Sequence, residues 1–417
     1  MNSLTRFAAI VGIDWADKKH DLCLKPAGAE HLEFSTLPHT PEAIDEWVNR
    51  LRQRFGDGAV AVCLESRKAP LIHVLLKYDT LVLFPVNPQT LARYRRALRP
   101  SRAKDDPSDA QLLIELVGRH PEQFPSWQPD SAALRCLTQL VEMRRRLVAD
   151  KVRLTNRLTA ALKLYFPQVL DWFKDKDTLI FCHFLQRWPD LPAAQRAPKH
   201  TLLRFFESHN AHYADINAQR VVAIQAAMPL THDVGVVEPN RLLTQMLIRQ
   251  LLLVLDSMRR FDQEIAQRFS TMPDAELFAT LPGAGVQFAP RLLTAFGEDR
   301  QRFPKADALA QYAGIAPVTE RSGNKHWVHW RYSCPKFLRQ SFVEWAREST
   351  RHSFWARAFY QHQRELGKTH QMAVRALAFK WIRILWRCWQ DRKPYNETTY
   401  LMSLQDKGSP LLQYIAN

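Results

Sequence analysis

The chain has 417 residues, of which 46% are hydrophobic, enough for two or three domains with packed cores. Lys and Arg number 58 against 42 Asp and Glu, which gives a formal net charge of +16. An excess of this size favours an anionic partner, and nucleic acid is the leading candidate. The sequence contains no run of about eighteen apolar residues, so we expect no membrane span.

The six cysteines are scattered along the chain, and no two of them form a Cys-x-x-Cys pair. This spacing argues against a zinc ribbon and against a disulfide framework, and it is typical of proteins in a reducing cytoplasm. The N-terminal apolar run is too short for a signal peptide. We therefore expect a cytoplasmic protein.

The first apolar run, at residues 8–13, ends in the carboxylate of Asp14. A polar turn follows, and residues 20–24 then alternate between polar and apolar side chains. This pattern predicts a β-hairpin with Asp14 at the end of its first strand. A carboxylate at the end of a buried strand is costly unless it is paired or binds a metal.

The next part of the chain alternates between helical and strand-like patterns, which predicts an α/β sheet covered by helices. The predicted elements are a helix at 41–54, a strand at 59–65, a helix at 70–78, a strand at 81–86 and a helix at 87–98. The strand at 59–65 ends in a second carboxylate, Glu65.

A basic run at residues 93–104 precedes a further predicted helix, whose first turn contains Asp106 and Asp109. Residues three apart share one face of a helix. Acids in a first turn also interact well with the helix dipole, so simple N-terminal capping is the alternative interpretation.

Four carboxylates thus stand at the ends of predicted elements, namely Asp14, Glu65, Asp106 and Asp109. Strand ends and adjacent helix starts converge on one edge of an α/β sheet. Converging acids repel one another unless they bind a cation, and oxygen ligands select Mg²⁺ or Mn²⁺. Two such ions can support phosphodiester transfer. The pattern therefore predicts a metal-dependent site of the ribonuclease H-like type.

A long helix is predicted at residues 131–165, where Leu140, Leu147 and Leu154 recur every seven residues. This repeat is coiled-coil-like and could pair two chains. An ordinary packed helix in a bundle is an equally good interpretation, because the repeat is short. Residues 170–270 are predicted to be mostly helical.

The C-terminal part carries two candidate nucleic-acid contacts. Gly283 and Gly285 precede a predicted helix at 288–296, and backbone N–H groups at such a turn can hold a DNA phosphate. A polar loop at 316–325 contains Ser322 between Arg321 and Lys325. On the residues alone Ser322 is a turn serine.

The rest of the C-terminal part continues with recognisable elements. A basic and aromatic strand is predicted at 326–332 and helices at 336–389. The polar end of the chain is expected to be loosely ordered.

Several motifs resemble the IS110 family of transposases. They are GIDWADKKHDLCL, LES at 64–66, KDDPSDA at 104–110, and the long C-terminal stretch from LPGAGVQF to SGNK. The resemblance covers residues 7–165 and 275–350. It implies a RuvC-like DEDD catalytic domain at 1–125, a helical, coiled-coil region at 126–272, a mostly α-helical transposase domain at 273–392 and a tail at 393–417.

The resemblance also implies roles for individual residues. The four acids would bind Mg²⁺ or Mn²⁺, and Ser322 would be the nucleophile that forms a covalent link to DNA. Arg321 and Lys325 would counter phosphate charge. Asp105 stands where the family usually has a hydroxyl residue, which leaves open whether Asp105 or Asp106 is the ligand. The three-residue spacing to Asp109 favours Asp106.

The partners implied by the resemblance are donor and target DNA, a structured non-coding guide RNA encoded by the element, and further copies of the chain in a dimer or tetramer. The family assembles its site from different protomers and acts in the bacterial cytoplasm, associated with the nucleoid when active. Two other functions are compatible with the residues. One is a Holliday-junction resolvase or nuclease that uses the acids alone, and the other is a non-catalytic nucleic-acid-binding protein.

Overall fold

The computed structural model describes residues 6–65, 70–98, 106–209 and 213–414. The chain divides into two compact units, Met1–Pro129 and Asp130–Asn417. Within the described ranges, no helix combines the length and the apolarity needed to cross a bilayer.

The first unit contains a five-stranded mixed sheet. Its strands are β1 (Ala9–Asp14), β2 (Lys19–Pro26), β3 (Glu33–Pro38), β4 (Val60–Glu65) and β5 (Leu81–Val86), in the order β3-β2-β1-β4-β5. β1 is antiparallel to β2 and parallel to β4, which is itself parallel to β5. The predicted hairpin and both later strands are confirmed. β3 was missed because only Leu37 of its six residues is buried, so it has no apolar run.

Helices cover both faces of this sheet. They are α1 (Pro41–Phe55), α2 (Pro70–Leu75), α3 (Pro88–Leu98) and α4 (Asp106–Arg119). α1 and α2 share a core with one face of the sheet, and α3 and α4 share cores with the other face. The Thr40 hydroxyl caps α1 by accepting a hydrogen bond from the Ala43 N–H. The α/β architecture predicted for the N-terminal part is confirmed in this mixed form.

Gly12 allows α4 to lie directly on β1. A Cβ atom at Gly12 would stand 1.9 Å from the carbonyl oxygen of Ala110 in α4. Only glycine has no Cβ, so any other residue here would push the helix away from the strand. Because Asp109 is next to Ala110 and Asp14 is two residues beyond Gly12, this contact draws the first turn of α4 toward the end of β1.

We expect Gly12→Ala to destabilise the first unit. The added methyl group must displace backbone rather than a flexible side chain, and overpacking of this kind costs about 1–3 kcal/mol. Thermal unfolding monitored by circular dichroism should show a lower melting temperature than the wild type. An unchanged melting temperature would show that α4 can shift without loss of packing.

The second unit is mostly helical. Its helices are α5 (Ala132–Tyr165), α6 (Val169–Trp172), α7 (Leu179–Arg187), α8 (Leu191–Gln195), α9 (Lys199–Ser208), α10 (Ala214–Ala226), α11 (Val234–Ser270), α12 (Ala275–Ala279), α13 (Gly285–Phe296), α14 (Ala306–Tyr312), α15 (Lys336–Ser349), α16 (Phe354–Glu365), α17 (His370–Asp391) and α18 (Glu397–Asp406). A two-stranded hairpin, β6 (Val318–Ser322) and β7 (Lys325–His329), lies between α14 and α15.

The predicted long helix is confirmed as α5, which packs along α11 of the same chain. The two helices run antiparallel. Leu137 near the start of α5 shares a core with Ile265 near the end of α11, and Leu158 shares a second core with Leu247. The second unit therefore has two hydrophobic cores joined by this helix pair. The apolar repeat of α5 serves, at least in part, to pack one chain.

The polar loop expected at 316–325 is wrong for residues 318–322, which form β6. Gly323 has a φ of +55° and is the first residue of a two-residue turn between β6 and β7. Glycine in this position favours a tight hairpin, so the polar segment pairs with the following strand. The basic and aromatic strand predicted at 326–332 is confirmed for residues 326–329 in β7 and is wrong for residues 330–332, which follow the strand.

The expectation that the end of the chain is loosely ordered is also wrong. Residues 397–406 form α18, Leu404 is buried in the C-terminal core, and Leu411 beyond the helix is also buried. Asn396 caps this helix by accepting a hydrogen bond from the Thr399 N–H. Tyr400 and Leu401 of the same helix also pack against this core, so a segment whose composition is largely polar is nevertheless ordered.

Candidate catalytic site

The sheet brings two of the predicted acids to neighbouring strand ends. Asp14 is the last residue of β1 and Glu65 the last of β4, and the parallel register pairs Ile13 with Leu64 just before them. Side chains alternate along a strand, so Asp14 lies on the same side as Gly12, which faces α4. Glu65 shares that side with Cys63, which packs with α4 residues. Both carboxylates are partly exposed.

Asp109 lies in the first turn of α4 and is only 2% exposed. Its carboxylate accepts two hydrogen bonds from Arg95 of α3, at 2.6 Å from Nε and 2.5 Å from Nη2. A buried carboxylate needs such a partner to stay charged, and the bidentate geometry is the strong form of the pair. A metal ion at Asp109 would have to share the carboxylate with Arg95 or replace it.

Asp106 is the first residue of α4, but its side chain lies outside the described part of the structure, as does the whole of Asp105. Among the side chains that are described, no three His, Cys, Asp or Glu residues lie close enough to hold a metal ion. The donor chemistry nevertheless suits a hard divalent cation, because Asp14 and Glu65 offer carboxylate oxygens at adjoining positions.

Asp21 is an acid at this site that the sequence analysis did not single out. It pairs directly with Asp14 across the β1–β2 register and is 9% exposed. Directly opposite residues in an antiparallel pair place their side chains on the same face, and like charges there repel. The alternating pattern predicted the two strands of the hairpin. It did not predict which residues face each other, because the register depends on the turn length, which periodicity does not reveal.

The buried His20 and the half-buried His39 form a pair beside the turn that follows Asp14. The Ala16 N–H donates to Nδ1 of His20 at 3.2 Å, so the proton of His20 sits on Nε2, which donates to His39 at 2.9 Å. Burial, with a smaller contribution from His39, lowers the pKa of His20 to about 4. His20 is therefore neutral near pH 7, and it anchors the turn as a hydrogen-bonding group.

Ser322 lies in the second unit, at the exposed tip of the β6–β7 hairpin. It is the last residue of β6 and stands opposite Lys325, and Arg321 stands opposite His326. All four side chains are exposed. Ser322 is thus exposed, with Lys325 directly opposite on the partner strand and Arg321 next to it in the chain.

Two arginines lie over the ring of Trp330 at the foot of this hairpin, and Arg331 is the next residue in the chain. The guanidinium of Arg339 lies 5.1 Å from the centre of the Trp330 ring, and Arg375 also lies over that ring. The Nε atoms of Arg331 and Arg375 are buried without a hydrogen-bond partner among the described residues. Burial, followed by repulsion from Arg339, lowers the pKa of Arg375 to about 10. The foot of the hairpin is strongly basic.

The glycine turn before α13 is partly open. Gly283 and Gly285 have positive φ values of +70° and +48°. A Cβ at Gly283 would meet His352 at 2.8 Å, whereas one at Gly285 would meet no atom within 4 Å. α13 begins without a side-chain cap. Its first N–H groups are therefore available for other acceptors.

Comparisons with known proteins identify the family. Residues 11–167, which include all four predicted acids, match the DEDD model of IS110 proteins, described as "Transposase". Residues 275–361, which include Ser322, match the model described as "Transposase IS116/IS110/IS902 family". The two matches together cover more than half of the chain.

The chain belongs to the IS110 family of transposases.

Two relatives of this IS110-family transposase align over nearly its whole length, and a third aligns over about a third of it. The chain is 27% identical to the "Mini-circle putative transposase for IS117" of Streptomyces coelicolor, over 100% of this chain and 99% of that protein. It is 28% identical to the "Insertion element IS900 uncharacterized 42 kDa protein" of Mycobacterium paratuberculosis, over 93% and 97%. The "Pilin gene-inverting protein" of Moraxella bovis is 30% identical, over 34% of this chain and 46% of that protein.

Proposed function

We propose that this transposase cleaves and rejoins DNA strands with divalent cations, Mg²⁺ or Mn²⁺, held by Asp14, Glu65, Asp106 and Asp109, and with Ser322 as the nucleophile. In this proposal a structured guide RNA encoded by the element selects the donor and target DNA. The relatives named for transposition and gene inversion support the recombination part of the proposal.

The observation that carries the metal site is the parallel pairing of β1 with β4. It puts the carboxylates of Asp14 and Glu65 side by side on the face of the sheet that α4 covers. The close approach at Gly12 brings the acidic first turn of α4 toward the same place. Carboxylates at the ends of two neighbouring strands and at one helix start support a ribonuclease H-like, RuvC-like domain at the N-terminus.

The residues of this chain would have different roles at such a site. Asp14 and Glu65 would be the accessible ligands, Asp106 would complete the set, and Arg95 holds Asp109 in place. A bound divalent cation would polarise the scissile phosphate and stabilise charge on its oxygens. Arg321 and Lys325 beside Ser322 would neutralise the phosphate that the serine approaches.

The proposed covalent step uses only the serine and one DNA phosphodiester. The Ser322 oxygen bonds to phosphorus as the bond from phosphorus to a deoxyribose oxygen breaks. The serine proton passes to solvent and the departing oxygen takes up a proton, so charge and atoms balance. Rejoining reverses the step with a new deoxyribose hydroxyl. The exposed position of Ser322 at a hairpin tip suits attack on a large substrate.

Basic surface supports the nucleic-acid partners. The net charge of +16 favours polyanions in general, and Arg331, Arg339 and Arg375 concentrate positive charge at the foot of the hairpin that carries Ser322. Such contacts bind the phosphate backbone without reading sequence. Sequence selection by a paired guide RNA is consistent with a protein surface of this kind.

A homo-oligomer, a dimer or tetramer, is part of the same proposal. α11 leaves Leu242, Met246 and Leu253 exposed, at 71%, 41% and 67%. Residues four and seven apart lie along one side of a helix. This side of α11 is therefore a suitable surface for contact with a second copy of the chain.

The test is an in-vitro recombination assay with purified protein, labelled donor and target duplexes and the RNA transcribed from the element. We expect joined product with Mg²⁺ and RNA together, and none when EDTA replaces Mg²⁺ or when the RNA is left out. Product in EDTA would refute the metal site. Product without RNA would refute the guide.

A further inference from the structure

A cavity of about 220 Å³ lies in the second unit between α5, α11, α13 and α15. Its charged lining residues are Arg144 and Arg145 of α5, Arg291 of α13, Asp262 of α11 and Glu344 of α15. Three guanidinium groups thus meet two carboxylates. The lining carries one positive charge that no lining acid balances.

Each of the two acids is already engaged by its own arginine. Arg144 donates to Asp262 from Nε at 2.7 Å and from Nη2 at 3.1 Å. Arg291 donates to Glu344 from Nη2 at 2.8 Å. Neither carboxylate is left to neutralise the third arginine.

Arg145 is held in the cavity by an aromatic ring rather than by an acid. Its guanidinium lies 4.8 Å from the centre of the Phe337 ring, and Arg291 lies 5.1 Å from the same ring. The Nε of Arg145 is buried and has no hydrogen-bond partner among the described residues. A buried donor without an acceptor is costly, so an anion that accepts a hydrogen bond from this Nε would be favourable here.

Two further features make the cavity attractive to an anion. Burial of Arg291 lowers its pKa, and the nearby charges of Arg144 and Arg145 lower it further against the opposing effect of Glu344. Gln287, in the first turn of α13, also lines the cavity, and this helix has no side-chain cap. A negative group would relieve the repulsion among the arginines and accept hydrogen bonds from these donors.

We propose that this cavity binds a backbone phosphate of a nucleic acid, with Arg145 as its principal ligand. One water in the liquid takes up about 30 Å³, so the cavity has room for a phosphate group. The phosphodiester is common to DNA and RNA. A nucleic acid is favoured over an acidic peptide because the whole chain is strongly basic and belongs to a transposase family. The inference deepens the proposed function by naming a contact residue for its nucleic-acid partners.

The test compares Arg145→Gln with Arg146→Gln, which removes the same charge from the next, exposed residue of α5. Binding of a labelled duplex DNA and of a labelled single-stranded RNA is measured by fluorescence anisotropy at salt concentrations between about 50 and 200 mM. EDTA is present throughout, so the result does not depend on the metal site or on Ser322. Arg145→Lys tests whether charge alone suffices.

We expect Arg145→Gln to weaken binding about tenfold, which corresponds to one charge-assisted hydrogen bond, and to reduce the salt slope by about 1. Arg145→Lys should fall between Arg145→Gln and the wild type, and Arg146→Gln should bind like the wild type. A loss with DNA alone or with RNA alone would identify which backbone occupies the cavity.

Three results would overturn the proposal. They are wild-type binding by Arg145→Gln, equal losses in both glutamine variants, and loss of binding to polyglutamate without loss of binding to either nucleic acid. Thermal unfolding of the free proteins shows whether each variant is folded. Arg145→Gln should melt close to the wild type, because Arg145 is only partly buried and glutamine keeps a polar side chain there.

Discussion

Asp14→Asn is expected to lower the rate of DNA strand cleavage by more than about 100-fold. Removing a residue that only supports a metal ligand costs up to about 100-fold, and losing a ligand itself should cost more. The asparagine keeps the size of the side chain at the end of β1 but lacks its charge. The remaining carboxylates should then bind Mg²⁺ more weakly. Cleavage of a labelled duplex, measured over a Mg²⁺ titration, reports both the maximal rate and the metal midpoint.

Asp17→Asn is the matched control, because Asp17 lies exposed in the turn that directly follows β1. It changes the same charge in the same hairpin but offers no ligand on the face of the sheet that α4 covers. We expect Asp17→Asn to cleave like the wild type. Equal rates for Asp14→Asn and the wild type would refute the metal site and favour a non-catalytic binding protein.

Ser322→Ala is expected to abolish the covalent protein–DNA adduct and to lower strand exchange by more than about 10³-fold. The variant removes only the hydroxyl at the tip of an exposed hairpin, so the fold should be unaffected. The adduct can be detected as a labelled DNA strand that migrates with the protein under denaturing conditions. Ser322→Cys keeps a nucleophile in the same place and should retain some adduct formation.

Thr319→Ala is the control for this experiment, because Thr319 is an exposed hydroxyl residue on the same strand. It should form adduct and product at wild-type rates. If Ser322→Ala exchanges strands normally, the serine mechanism is wrong. Continued metal-dependent cleavage by that variant, with no adduct in any protein, would favour the resolvase or nuclease that uses the acids alone.

Local patterns were sufficient for most elements of the fold. The helical spacing of Ile44, Trp47, Val48 and Leu51 predicted the buried side of α1, and all four are buried. The predictions failed for strands whose local sequence pattern is weak. β3 has one buried residue, and β6 consists largely of exposed polar side chains, so neither strand has an apolar repeat. Their pairing depends on neighbouring strands and on a turn.

In the candidate site, too, some features could be predicted from local sequence patterns and others could not. The positions of Asp14 and Glu65 at strand ends could be predicted because an apolar run stops at each of them. The ion pair between Arg95 and Asp109 could not, because it joins two helices whose relative placement is a matter of packing. The role of Gly12 was hidden for the same reason. A glycine in a strand gives no sign of the helix that lies against it.

By itself, the sequence determined the element types, the basic character of the chain and the motif set that marks the family, since each of these depends on residues close together along the chain. Only the tertiary structure decided which groups meet. It placed Asp21 opposite Asp14, paired Arg95 with Asp109, and buried the Nε of Arg145 without a hydrogen-bond partner among the described residues. The physical reason is that strand register and helix packing depend on contacts between segments distant in sequence, and these contacts control which charges are paired.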